Sequence, residues 1–339
     1  MAKSCALLLL AAMGTVGRAQ QMPGGSSSGP VSGSTSGSTS ESTIRVKTNL
    51  VNLSFTARDT SGALVGDLKR DEVEVFEDAV EQKTAFFSKA SDVPLTLGLI
   101  VDASGSQDHF TKQHQRDLEA FLKEVLRPQD RVFLICFGNH LRLASDFTNS
   151  ADDVLRGMED FKQGGRHKGP DGRDRMAEIG PKEERDLGTA FYDSIYYSVT
   201  EKMVGATGRR ALMVFSDGED NSSSHEMMDT IEAAQAENVQ VYTIRYTEKE
   251  HGKLTARNKY GISVMDRIAK ETGAGSVDAA EADPKEYFHE IAEELRNSYE
   301  VAYYPTDPTR DGTFRKIRIK PLREGVRVRS RTGYFAKGQ

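Results

Sequence analysis

Three near-continuous apolar runs, Leu95–Val101, Val132–Phe137 and Ala211–Phe215, constrain this chain more than any other feature. Each is too short for a core helix and has no polar face. Such runs are strands covered on both sides. Val239–Tyr246 reads as a fourth strand and Leu141–Phe147 as a shorter one. Between them lie helical segments: from Ser106 to about Leu126, then Thr189–Met203, Ser224–Glu237 and Ile262–Thr272. A last helix opens at Asp283-Pro-Lys-Glu286, with Pro at its first position and Glu at its third, and runs to about Asn297. Buried strands alternating with amphipathic helices predict an α/β class fold, Rossmann-like and doubly wound on a mostly parallel sheet.

The flanks have another texture. Val51–Ala57 places apolar residues at every second position, Val73–Phe76 leads to a turn at Glu77-Asp78, and Thr84–Phe87 follows. Residues 44–92 therefore read as a small antiparallel unit. After the α/β domain, 93–297, the segment 298–339 alternates again: Glu300–Tyr304, then Ile317 with Ile319, then Val326 with Val328. Hairpin strands rarely stand alone. The economical expectation is one β-sandwich-like unit, made by both flanks, into which the α/β domain is inserted. Two separate β appendages are the other arrangement.

The start of the chain predicts export. Lys3, the apolar run Cys5–Met13 and the small residues up to Ala19 form a secretory signal over residues 1–19. Residues 20–43, nearly all Gly, Ser and Thr from Pro23 onward, form a flexible linker. No later segment is apolar for long enough to span a bilayer, so the expected location is periplasmic, cell-surface or secreted. Past the signal only Cys136 remains, within an apolar run, which excludes an internal disulfide and suggests a core thiol. A net charge of −6 argues against a nucleic-acid partner.

Chemistry concentrates where the strands end. Asp102, Ser104 and Ser106 follow the first run, Thr189 follows Gly188 at the head of a helix, and Asp217 follows Ser216 and precedes Gly218. In an open parallel sheet such loops emerge at the carboxyl edge, where these folds bind ligands. Hydroxyl and carboxylate oxygens favour a hard divalent cation, Mg²⁺, with Mn²⁺ or Ca²⁺ as substitutes. Asp-x-Ser-x-Ser, a distant Thr after Gly and an Asp after an apolar strand together resemble the metal-ion-dependent adhesion site of von Willebrand factor A-type domains. The resemblance implies that Ser104, Ser106 and Thr189 supply hydroxyl oxygens and that Asp102 and Asp217 act directly or through water. It further implies a coordination position left for an acidic side chain of a protein partner. The stretch Leu68–Asp78, Tyr303-Tyr304-Pro305 and Gly333-Tyr334-Phe335 also resemble a family of exported bacterial von Willebrand factor A-related proteins abundant in Acidobacteria. This chain departs from that pattern at Ala79-Val80, where a Gly-containing turn is expected, and in a longer, charged insert between Lys162 and Asp186.

The expected function is metal-dependent protein binding, not catalysis. A Mg²⁺-assisted hydrolase is the rival, and a scaffold with a vestigial metal site is a third reading. Against the hydrolase, none of the seven histidines stands in a recognised spacing to an Asp or Ser; His109, His140 and His225 read as surface or helix-end residues. The charged insert reads as a solvated loop; the functional alternative is that, ending just before Thr189, it rises beside the metal face and its basic first half contacts an acidic partner. Glu219 and Asp220 read as polar residues opening a helix, with a second ion site as the sharper idea. The Asn221-Ser-Ser223 sequon is discounted because the resemblance is to bacterial proteins.

Overall fold

The computed structural model describes residues 50–89, 93–138, 140–161, 176–180, 188–281 and 283–337, all within one unit, Lys47–Gln339. The expected signal segment, the linker and most of the charged insert lie outside the described residues. Among the described residues no helix is long and apolar enough to cross a membrane.

Four strands come first: β1 (Val51–Arg58), β2 (Val73–Glu77), β3 (Val80–Gln82) and β4 (Thr84–Lys89). The α/β domain then supplies β5 (Leu95–Asp102), α1 (Thr111–Val125), β6 (Arg131–Phe137), β7 (Leu141–Thr148), α2 (Ala151–Asp160) and α3 (Phe191–Tyr197). It continues with β8 (Arg209–Ser216), α4 (Met227–Ala236), β9 (Val239–Arg245), α5 (Ala256–Thr272), β10 (Ser276–Asp278) and α6 (Pro284–Arg296). Four strands close the chain: β11 (Tyr299–Tyr303), β12 (Phe314–Pro321), β13 (Arg327–Ser330) and β14 (Gly333–Phe335).

The central sheet has the order β10-β9-β8-β5-β6-β7, parallel except for β7 against β6. It is doubly wound, as the apolar runs require. Leu97, Leu99 and Val101 face α1, α2 and α6, while Ile100, Leu212 and Val214 face α3, α4 and α5. Each fully buried Leu or Phe contributes roughly 1.5–3 kcal/mol, so these two layers hold the rim loops in place. Cys136 is a buried thiol within this sheet, its pKa pushed up to about 12 by burial.

The flanking strands form two further sheets, β13-β1-β11-β4 and β14-β12-β2-β3. Their shared core takes Leu53 and Phe55 from β1, Val75 from β2, Val301 and Tyr303 from β11, and Ile317 and Ile319 from β12. β11 lies between β1 and β4, so the α/β domain leaves and returns on neighbouring strands. The sandwich with its inserted domain is therefore the observed arrangement. Glu294 on α6 fastens the two parts: its buried carboxylate takes the Arg58 and Arg329 guanidiniums and the Tyr242 hydroxyl, the last at 3.3 Å. A buried carboxylate shared by two cations satisfies the requirement that interior charge be paired.

Several local expectations are corrected. β4 leaves the hairpin of β2 and joins the other sheet against β11, so the partner of β2 is the short β3. The helix expected from Ser224 begins at Met227, and the one expected from Ile262 begins at Ala256, capped by Thr255, whose Oγ1 accepts from Asn258 N–H at 3.1 Å. The expected helix over Thr189–Met203 is α-helical only to Tyr197 and ends in a π turn over Ser198–Met203. α2 was not anticipated, because its buried side rests on little more than Val154 and Met158. The piece of the insert that is described, 176–180, does not follow the solvated-loop reading. Met176 and Ile179 are buried, and Ala177 and Ile179 bond along β7.

The hairpin of β2 and β3 carries the departure at Ala79. Glu77 pairs with Val80, leaving a two-residue loop in which Asp78 has φ 48° and Ala79 φ 68°. Positive φ at both positions suits the right-handed twist of the strands, but a Cβ there costs ~1–2 kcal/mol. Ala79→Gly is expected to raise stability by about 1 kcal/mol, measured as an increased urea midpoint at unchanged slope.

Candidate metal centre

The centre is built at the switch point of the central sheet. β5 is followed by β6 on one side, while β8 lies on its other side, so the loops after β5 and β8 diverge and leave a crevice between them. Asp102 ends β5, and Asp217 comes one residue after the end of β8. The ladder runs to Val101 opposite Phe215, so the two acids emerge side by side.

Hydrogen bonds fix their orientation. Asp102 Oδ1 accepts the Ser104 N–H at 2.9 Å, and its Oδ2 accepts the Ser216 hydroxyl at 2.6 Å. Asp217 Oδ1 accepts the Glu219 N–H at 3.0 Å, and its Oδ2 accepts the Ser106 hydroxyl at 3.1 Å and Gln107 Nε2 at 2.9 Å. Ser104 Oγ and Ser106 Oγ are 3.2 Å apart. Four of the five residues named from the sequence thus form one bonded cluster. Thr189 is not bonded to any of the four; its N–H donates to Asn221 Oδ1 at 2.7 Å and its carbonyl accepts Asn221 N–H at 3.1 Å, which ties it to the segment after Asp217.

Electrostatics set this cluster apart from an ordinary turn. Asp102 and Asp217 are only 1% and 4% exposed, and among the described residues neither has an ion-pair partner. Burial and then the charge of Asp217 push the Asp102 carboxyl from 3.8 up to about 7; the bonds from Ser104 and Ser216 oppose that rise. Two buried like charges without a counterion are costly unless a cation joins them. Nearby oxygens are also unpartnered among the described residues: Gln107 Oε1, Ser222 Oγ and Thr247 Oγ1 are buried without a donor. Among the described residues no group of three or more His, Cys, Asp or Glu converges as a metal cage. The donors here are two carboxylates with hydroxyl and amide oxygens, which fits a hard cation that keeps some waters and does not fit a soft one.

Residues that the sequence did not single out hold this arrangement together. Asp193, fully buried on α3, accepts Ser224 N–H and His225 N–H at 3.0 Å each and lies 2.8 Å from His225 Nδ1. Tyr192 N–H donates to Asp220 Oδ1 at 3.3 Å. These bonds lock the segment after Asp217 onto the helix that follows Thr189. His225 is therefore no plain helix-end residue, and it stacks on Tyr196 with ring centroids 3.6 Å apart. Its only sequence signal is Asp193 lying one helical turn after Thr189. Glu219 pairs with Arg257 at 2.6 Å, and Asp220 accepts the Ser223 hydroxyl at 2.5 Å. Glu219 thus reaches α5 and Asp220 reaches α3, and both lie well before the start of α4.

The strand order, with its one antiparallel edge, is that of a Rossmann-like, doubly wound sheet. No family model matches the chain, and no curated protein matches it in sequence. Among solved structures it is similar to an aerotolerance-related membrane protein from Bacteroides fragilis, at 14% identity and TM-score 0.42, over 59% of this chain and 98% of that one. It is similar to BatB of Bacteroides thetaiotaomicron at 16% identity and TM-score 0.40, over 59% and 97% of the two chains. It is also similar to the PilB minor pilin of Streptococcus sanguinis at 12% identity and TM-score 0.43, over 61% and 62%. Likeness at these identities concerns the path of the chain and not its activity.

Backbone meets backbone behind Asp217. A Cβ on Gly261 of α5 would lie 2.3 Å from Asp217 O, and one on Gly218, at φ +77°, would lie 2.5 Å from Gly261 O. Gly261→Ala must push the Asp217 loop away from α5. The expected cost is roughly 1–3 kcal/mol, read as a lowered denaturation midpoint.

Proposed function

We propose that this chain is an exported, metal-dependent protein-binding module whose divalent ion, Mg²⁺ or in its place Mn²⁺ or Ca²⁺, accepts a carboxylate from a partner protein. The observation that carries the reading is the buried Asp102–Asp217 pair, which has no counterion among the described residues and is bordered by the Ser104 and Ser106 hydroxyls at the carboxyl edge of the sheet. Bound there, the ion would supply an electrophile with an exchangeable position; two carboxylates only neutralise its charge. Ser104, Ser106 and Thr189 would offer hydroxyls, with Asp102 and Asp217 coordinating directly or through water. Ser216 and Gln107 would hold the two carboxylates in place by the bonds they already make. Ser106 is exposed while Asp102, Ser104 and Asp217 are buried, so a partner would approach from the Ser106 side. Export rests on the signal-like first residues.

The hydrolase reading has one observation in its favour, the Asp193–His225 pair. Its carboxylate is already engaged by two backbone N–H groups, so latching the loop is the role its geometry supports.

Calorimetric titration of the wild type with Mg²⁺ and Mn²⁺ is expected to show saturable uptake at one site, and Asp102→Asn is expected to show none. The sign of the stability change separates this site from a plain turn. Since the folded state raises the Asp102 pKa above its ordinary 3.8, ionisation costs the wild type stability as pH rises toward about 7. In chelator at pH 8, Asp102→Asn is therefore expected to melt a few degrees above the wild type. In Mg²⁺ the order should reverse. Capture from an envelope extract supplies the functional arm: a partner retained by wild type in Mg²⁺ should be lost in chelator and with Asp102→Ala. Equal capture in all three would sink the adhesion reading and favour a scaffold. Phosphoester turnover by wild type alone would favour the hydrolase.

A further inference from the structure

The approach to α1 is anchored differently from the rest of that helix. From Gly105 to Asp117 the buried residues are Gln107, His114 and Asp117, all polar, and Phe110 is only half-buried. The buried apolar anchors start at Leu118 and continue with Phe121, Leu122 and Val125. Neither the 3-10 turn Gly105–Phe110 nor α1 has a side-chain cap at its start. What holds this stretch is Tyr246, one residue past β9. Gln107 Nε2 donates to Tyr246 O at 3.2 Å, and Asp117 accepts the Tyr246 hydroxyl at 2.5 Å. A segment with few buried apolar contacts opens at lower free energy than the sheet it rests on.

His114 is the anchor that makes no bond. It is 1% exposed, and neither of its ring nitrogens has a partner among the described residues. The ring stands edge-on to Tyr246 with centroids 4.3 Å apart, and the rings of Phe110 and Phe215 each lie 6.3 Å away. It is packed as an aromatic hydrocarbon would be. Interior polar groups are normally satisfied, and protonation would make both nitrogens donors and add a full charge. The charged groups around the ring do not compensate. His109, in the turn before α1, has the same sign when charged and lies 3.8 Å from Glu248 of the loop after β9. On α1 itself Asp117 is engaged by Tyr246 and acted on by Arg116, and from α6 the Tyr287 hydroxyl lies beside that of Tyr246. From β8 the ring meets Phe215, which carries no charge. Burial, and then the charge of His109, push the His114 imidazole from 6.5 down to about 3.

We infer that His114 is an acid-operated release: protonation of its ring frees the Gly105–Phe110 turn and the first turns of α1 from Tyr246, while the sheet and the rest of the helix stay folded. The freed turn carries Ser106 and Gln107, so acid would loosen the rim of the candidate metal centre. The release does not rest on the metal reading, because it belongs to the turn and the helix alone. Its direction follows from the two states. Once open, the ring has its ordinary value of 6.5, so the closed state is unpenalised above that pH and loses stability as the pH falls through it toward about 3. Between pH 7.5 and pH 5 the ratio of closed to open molecules falls about thirtyfold.

The test is hydrogen exchange of the whole chain in chelator at pH 7.5 and pH 5, corrected for intrinsic exchange rates. Wild-type protection of the amides from Gln107 through Asp117 is expected to fall about thirtyfold at the lower pH, with β5 and β8 unchanged. His114→Phe keeps the aromatic contacts and cannot titrate, so its protection there should be the same at both. Asp102 and Asp117 are present in both proteins, and the difference therefore isolates His114. No fall in the wild type, an equal fall in the variant, or a fall shared equally by β5 and β8 would each overturn the proposal. Should the variant not fold, an NMR titration of the wild-type His114 ring decides. The ring is expected to stay neutral at pH 6.5 as long as those amides are protected; half-protonation there with protection intact would overturn the release. Mg²⁺ uptake is measured separately at pH 7.5, where its failure bears on the metal reading alone.

Discussion

The parallel ladder between β5 and β8 is the constraint from which the rest follows. Leu95 to Val101 pair with Arg209 to Phe215 in one unbroken register. A slip of one residue would turn Leu97 and Leu99 out of one helical layer and Ile100 out of the other. Register is thus set by hydrophobic burial on both faces, at a cost for any alternative that far exceeds the price of two awkward carboxylates. That is why Asp102 and Asp217 can be held together: the sheet brings them to the same edge whether or not their charges favour it.

The sandwich plays the complementary part. Its strands come from opposite ends of the described chain, and β11 between β1 and β4 makes the first flank unable to complete its sheet without the second. Loop-closure entropy over the inserted domain must be met by that pairing and by the Phe55–Tyr299–Phe87 stack, whose ring centroids lie 5.1 to 6.2 Å apart. The seam is then closed by polar groups, with Glu294 between Arg58 and Arg329, and Arg331 across to α4. An apolar core with a charged seam lets the α/β domain fold on its own periodicity while its orientation is set by directional bonds.

The sequence revealed what depends on local pattern. Continuous apolar runs identified the central strands, and period-2 alternation identified β1, β11 and β12 as strands of the sandwich; only β12 is half-buried, since Ser54 and Thr56 of β1 and Ala302 of β11 are covered as well. The meeting of Asp102, Ser104, Ser106 and Asp217 was legible because β5 and β8 end side by side at one edge of the sheet, so sequence order translates into position; Thr189, at the head of α3, is not bonded to them. What depends on long-range partners was not legible. β4 alternates as well beside β2 as beside β11, and only the returning strand decides between them. Gln107 follows Ser106 in an ordinary helical turn, and its bond to Asp217 spans 110 residues. Asp193 and His225, 32 residues apart, carry no motif. α2 has too narrow a buried face for its period to stand out, and the Thr255 cap of α5 sits among polar residues that mask it.

The latch beyond Asp217 bears on how such a centre would work. Thr189 and Asp217 come from separate segments, yet Asn221, Asp220 and Asp193 join their segments by backbone and side-chain bonds at several points. The two therefore move as one body, and the glycine contact between Gly218 and Gly261 fastens that body to α5. The Ser104–Gln107 turn is held to it through Ser106 and Gln107, which both donate to the same oxygen of Asp217. A cation drawing on Asp217 Oδ2 would compete with those donors. The first adjustment on loading the centre would then fall on the Ser106 hydroxyl and the Gln107 amide, both of which can rotate, and not on the backbone of the sheet. Preorganisation at the rim and adjustability in two side chains are compatible because the cost of buried like charge is carried by the hydrophobic ladder beneath.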